Sequence, residues 1–171
     1  NALLHAEEEA FVCGPQRITF SEFNARVNRL IRFLRRQGVQ KGDVVGILAW
    51  NGLHYPDLYG SAMKGGFIAS PFNPRLHPEE LEYLIRYSEA VTLFVGPELL
   101  ETVEQLKPRL PGVRDYISLE GAAANMVPYE DLLGGGDAEE PESDVRPEDP
   151  LLILYTSGTT GLPRGALYTH A

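Results

Sequence analysis

Apolar residues fall at helical spacing early in the chain. Phe23, Val27, Leu30, Ile31 and Leu34 sit at i, i+4, i+7, i+8 and i+11, one stripe of an amphipathic helix. Thr19 and Glu22 fit a capping box at its start, and Gly38 fits its C-cap. Two short segments precede it, 10–13 and 17–20, split by Gly14-Pro15 as a hairpin would be. The run 44–50 is apolar without alternation and predicts a strand buried on both faces. Asn51 is placed to cap a second helix, with Pro56 in its first turn and Gly65-Gly66 at its end. A strand over 67–70 follows, closed by Pro71 and Asn73-Pro74. Pro78 then opens a helix over 79–88 that carries Leu81, Leu84 and Ile85 on one face. Residues 91–95 predict a strand, 98–107 a helix and 116–119 a further strand.

This alternation predicts an α/β fold: a largely parallel sheet with helices on both faces. From 134 to 150 the composition turns to Gly, Pro and acid, with Arg146 the lone cation among seven carboxylates, and this reads as a solvated connector. The chain thus divides into a first αβ portion (1–133), a connector (134–150) and a strand plus loop (151–171) expected to begin a next subdomain.

Charge narrows the function. A net charge of −9 and a pI near 4.9 exclude a nucleic-acid binder, which needs clustered Lys and Arg. No apolar run reaches the ~18 residues of a membrane-spanning helix. Glu7-Glu8-Glu9 stands where a signal peptide would be basic and then apolar, so a cytoplasmic protein is expected. The start on Asn1-Ala2 reads as a piece trimmed from something longer. Cys13, the single cysteine, is expected to be a small buried side chain. His5, His54 and His77 lie far apart and carry no Cys or acidic ligand pattern around them, so a metal site is not expected. Arg29, Arg32, Arg35 and Arg36 read as cations complementing a helix C-terminus, and Lys64 reads as another helix-end cation. Trp50, Tyr55 and Tyr59 read as packing residues, with stacking on a base the alternative.

The densest chemistry is the run Tyr155-Thr156-Ser157-Gly158-Thr159-Thr160-Gly161-Leu162-Pro163-Arg164-Gly165, directly after apolar 151–154. Glycines let backbone N–H groups turn toward a ligand, hydroxyls add donors and Arg164 is a permanent cation. Together these suit nucleotide phosphates. Neither G-x-x-x-x-G-K-[ST] nor G-x-G-x-x-G matches. Taken alone, the run also reads as a Gly/Thr-rich turn between strands.

The run closely resembles the phosphate-binding signature of the adenylate-forming superfamily: acyl-CoA synthetases, peptide-synthetase adenylation domains and firefly luciferase. Further blocks resemble the family in the same order. They are Ile18-Thr19-Phe20-Ser21-Glu22-Phe23, Gly38-Val39-Gln40-Lys41-Gly42-Asp43-Val44-Val45 and Lys64-Gly65-Gly66-Phe67-Ile68-Ala69-Ser70-Pro71. The segment Phe72-Asn73-Pro74-Arg75-Leu76 with Pro78-Glu79-Glu80-Leu81-Glu82-Tyr83 resembles the acyl-CoA synthetase branch.

The resemblance implies the N-terminal part of an AMP-forming acid–thiol ligase. A carboxylic acid attacks the α-phosphorus of MgATP to give an acyl-adenylate, and the thiol of coenzyme A then displaces AMP. It implies that Thr156, Ser157, Thr159 and Thr160 donate to the phosphates, that Gly158 and Gly161 bring the backbone close, and that Thr156 contacts Mg²⁺. Arg164 stands where the family usually has Lys. An aryl-CoA or carrier-protein ligase, and a silent nucleotide-binding domain of the same fold, are the alternatives. A homodimer is the candidate assembly. The family's later motifs would lie past Ala171, so this stretch alone is expected to be inactive, with no catalytic residue of its own.

Overall fold

A computed structural model describes residues 2–134, 138–156 and 163–171 of the chain. It opens with an antiparallel hairpin, β1 (Glu9–Cys13) and β2 (Gln16–Thr19), that leads straight into α1 (Phe20–Arg36). The capping box forms as its sequence predicts: Thr19 Oγ1 accepts from the Glu22 N–H at 3.2 Å, and Glu22 accepts from the Thr19 N–H at 2.8 Å. Phe20 is therefore the first residue of the helix and not the last of the strand. Cys13 is exposed, contrary to expectation, because it lies at the tip of a two-stranded hairpin outside the main sheet.

The remaining elements are β3 (Val44–Leu48), α2 (His54–Gly65), β4 (Ile68–Phe72), α3 (Pro78–Tyr87), β5 (Ala90–Val95), α4 (Leu100–Leu106), β6 (Asp115–Ser118), β7 (Val127–Pro128), α5 (Tyr129–Gly134), β8 (Pro150–Thr156) and β9 (Arg164–Thr169). Among the described residues, seven strands form one sheet in the order β7-β6-β5-β3-β4-β8-β9. All neighbours pair parallel except β8 and β9, which form an antiparallel hairpin at one edge. The mixed α/β class and covered parallel sheet agree with the sequence pattern.

Each face of the sheet carries its own helical layer. On the first face α1, α2 and α5 pack Leu30, Ile31, Leu34 and Leu58 against Val45, Ile47 and Phe94. On the second, α3 and α4 pack Leu81, Leu84 and Val103 against Leu48, Phe72 and Leu93. Of the α1 stripe, Val27, Leu30, Ile31 and Leu34 are fully buried and Phe23 partly so, and each buried Leu or Ile contributes ~1.5–3 kcal/mol. α1 and α2 approach closely at Gly60, where a Cβ would lie 2.6 Å from Val27 Cγ2 and 2.8 Å from Phe23 Cζ.

Several local expectations are corrected. Asn51 does not cap α2: the helix starts at His54 after Leu53, without a side-chain cap, because residues 49–53 form bends and a turn after the central strand β3. β4 runs through Pro71 to Phe72, since proline's φ is compatible with an extended strand and the cost is one donor. The helix over 98–107 shortens to α4, with a 3₁₀ turn at each end where Pro97 and Pro108 interrupt the hydrogen-bond ladder. β7 and α5 are too short to show a period. The acidic connector is not merely solvated: residues 138–149 lie against α1, Lys41 and Lys64.

Candidate functional site

In a parallel sheet the loops that follow the carboxyl ends of the strands share one crest. Ligands bind there where adjacent strands send their connections to opposite faces. β3 leads into α2 on the first face and its neighbour β4 leads into α3 on the second, so a crevice opens between their ends. It has a volume of about 510 Å³ and is lined by the loop after β3 (Ala49 to Gly52), the loop after β4 (Phe72 to Arg75), and Tyr55 and Tyr59 of α2.

Local bonds shape this crevice. Tyr55 donates its hydroxyl to the Ala49 carbonyl at 2.8 Å, fixing the β3 loop, and burial pushes its phenol pKa up to about 12. Asn73 Oδ1 accepts from the Arg75 N–H at 3.0 Å, a turn that sets the course of the β4 loop. The Arg75 guanidinium carbon then lies 4.9 Å from the Trp50 ring centroid. Trp50 is 47% exposed. Trp50 is thus half in solvent and covered by a cation, not buried among packing residues, while Tyr55 and Tyr59 are half-buried.

β8 ends at the same crest because it runs parallel to β4, in register Ala69↔Leu152. Tyr155 locks that end of the strand. Its ring stacks on Phe72 at 6.1 Å and meets Tyr87 edge-on at 6.4 Å. The next residue, Thr156, is exposed and pairs across the hairpin with Arg164. Gly165 lies opposite Tyr155, where a Cβ would come within 3.2 Å of the ring, so only glycine lets β9 cross here without displacement. Of the residues that the sequence singles out, Thr156 and Arg164 are therefore brought together at the two ends of the loop. Ser157, Gly158, Thr159, Thr160 and Gly161 lie outside the described residues.

The family model described as "AMP-binding enzyme" matches residues 1–171. The chain belongs to the AMP-binding enzyme family. It is 36% identical over 154 residues to a 3-methylmercaptopropionyl-CoA ligase of Ruegeria pomeroyi, covering 86% of this chain and 28% of that protein. It is 35% identical over 156 residues to a long-chain-fatty-acid–CoA ligase of Thermus thermophilus, covering 90% of this chain and 28% of that protein. The chain thus spans under a third of the length of these curated relatives. Among solved structures it resembles the anthranilate CoA ligase AuaEII in complex with anthranoyl-AMP, with a TM-score of 0.92 and 27% identity over 98% of this chain and 32% of that one.

Within this AMP-binding fold, a polar centre that sequence reasoning missed braces the layer beneath the crevice. Asp57 on α2 is fully buried; its carboxylate accepts from Arg26 Nη2 at 2.6 Å and Nε at 3.0 Å, and from the Tyr129 hydroxyl at 2.6 Å. Burial, reinforced by the nearby Asp57 charge, holds the Tyr129 phenol well above its ordinary pKa. For Arg26, burial opposes the charge, but the bidentate carboxylate outweighs it and raises the pKa. His54 meets Tyr129 edge-on at 4.9 Å, and burial lowers its pKa. The sequence offers little signal for it: Asp57 falls in the first turn of α2, where an acid reads simply as complementing the helix dipole. Among the described residues, no three His, Cys, Asp or Glu side chains converge to hold a metal, and no helix is long and apolar enough to cross a membrane.

Proposed function

We propose that the intact protein carrying this chain is an AMP-forming acyl-CoA synthetase, and that residues 156–164 cradle the triphosphate of its ATP. The carrying observation is the pairing of Thr156 with Arg164 at the crest, which sets a hydroxyl and a guanidinium at either end of the glycine- and threonine-rich stretch. A carboxylate attacking the α-phosphorus needs the leaving pyrophosphate held and its charge matched. Fixed donors and a cation supply that without reorganisation. Arg164 offers a planar fork suited to two phosphate oxygens.

Mg²⁺, when bound, would neutralise charge on the triphosphate. It favours oxygen ligands and keeps several waters, and Thr156 would supply a single hydroxyl. The lack of a convergent acidic cluster among the described residues is compatible with an ion held mostly by phosphate and water. The Trp50–Arg75 pair suits a co-substrate with a planar base and phosphates, which supports coenzyme A as the acceptor. A cytoplasmic setting fits as well, since it supplies ATP and keeps the acceptor thiol reduced.

Replacing Thr159 and Thr160 with alanine in the intact protein tests this reading. Loss of donors that stabilise developing charge is expected to lower kcat/KM for MgATP by on the order of 10²–10³, with the melting temperature unchanged. Unchanged MgATP kinetics would refute the cradle.

A further inference from the structure

The connector carries the chain from α5, beside the outermost strand β7, to β8 near the opposite edge, a span of five strand spacings or about 24 Å. Along the way α1 holds its main chain. Asn28 donates to the Ala138 carbonyl at 2.8 Å, Arg32 to Glu139 at 3.0 Å and Arg35 to Glu142 at 2.9 Å. These three donors are spaced i, i+4, i+7 and form a single stripe along the helix. Lys41, just past the helix, continues the row by donating to the Asp144 carbonyl at 2.8 Å.

Lys41 also does something the others do not. Its ammonium meets the Asp149 carboxylate at 2.7 Å, one residue before β8 begins. That carboxylate accepts from the Arg146 N–H at 2.7 Å, and the Asp149 N–H donates back to the Arg146 carbonyl at 3.1 Å, closing a turn. The end of β9 is tied to the same turn, with the His170 N–H on the Asp149 carbonyl at 3.2 Å and the Ala171 N–H on the Pro147 carbonyl at 3.0 Å. The lysine stem is itself held in place. Gly66, at φ +76°, leaves room where a Cβ would come 3.0 Å from Lys41 Cγ and 3.2 Å from Val145 Cγ2.

We infer that Lys41 is a positioning residue: by clamping the Asp149 turn, it fixes the β8–β9 hairpin against β4. Resting on the phosphate reading above, this clamp also sets where Thr156 and Arg164, the described ends of that stretch, stand at the crest. The Lys41 side chain is 31% exposed and that of Asp149 19%, so the clamp is partly open to screening by salt.

Amide hydrogen exchange in the intact protein tests this directly. Lys41→Met keeps the stem and removes the charge. Peptides from 150–156 are expected to exchange about tenfold faster in it, with β3 and β5 peptides unchanged, and Lys41→Arg is expected to restore the wild-type rate. Wild-type exchange in 150–156 should also rise between about 0.05 and about 0.5 M NaCl, whereas the Met variant should show no such rise. Asp149→Asn provides the same test from the partner side if Lys41→Met does not fold. Unchanged exchange in 150–156, or an equal increase in β3 and β5, overturns the clamp whatever the enzyme kinetics. Faster exchange with unaltered MgATP use supports the clamp and counts against the phosphate site alone.

Discussion

Removing the buried carboxylate of Asp57 tests whether its polar centre braces the first helical layer. Asp57→Ala leaves the Arg26 guanidinium and the Tyr129 hydroxyl without their shared acceptor. Breaking a buried pair from one side costs about 3–5 kcal/mol, because the remaining charge stays desolvated. The Arg26 side chain is 25% exposed and can partly rehydrate, which places the expected loss near the lower end, about 3 kcal/mol. At roughly 2–4 °C per kcal/mol for a domain of this size, the melting temperature should fall by about 6–12 °C. Tyr129→Phe removes a single hydrogen bond to a charged acceptor and should cost about 1.5 kcal/mol. Urea and thermal unfolding of both single variants and the double variant would measure these losses and their coupling. A loss below about 1 kcal/mol for Asp57→Ala, or additive single effects, would refute the claim that the three residues act as a unit.

Two further outcomes follow from the packing and from the crevice. Gly60→Ala gains about 1 kcal/mol of helix propensity but drives a methyl into Val27 and Phe23, so a net loss of about 1–2 kcal/mol is expected in urea titration; a more stable variant would sink the close-approach argument. The folded protein holds the Tyr55 proton to about pH 12, whereas the unfolded chain releases it near 10.0. Its contribution to stability is therefore complete below pH 10 and is lost as the pH rises toward 12. Tyrosinate absorbance during alkaline unfolding, compared between wild type and Tyr55→Phe, reads this loss. Identical alkaline profiles would contradict it.

Local order was written in the sequence. The stripe from Phe23 to Leu34 and the Thr19/Glu22 box specify α1 because both operate within a few residues of one another. The unbroken apolar runs identify buried strands, and their alternation with helices implies a parallel sheet. By residue type alone the hydroxyls and glycines of 156–161 fit either a phosphate site or a Gly/Thr-rich turn, and the matching blocks earlier in the chain are what favour the first. What the sequence could not carry is anything formed between distant segments. The Asp57 centre joins residues 31 and 72 positions apart, and the clamp on the connector joins α1 and Lys41 to residues more than 100 positions away. Arg35 and Lys64 do stand in the last turns of their helices, but together with Arg32 they also hold carbonyls and a carboxylate of that connector. The crevice exists only because β3 and β4 send their helices to opposite faces, and that choice belongs to the topology. Periodicity and caps act through near neighbours on the chain, so one sequence reveals them; burial and charge pairing depend on which distant surfaces meet, and only the folded arrangement decides that.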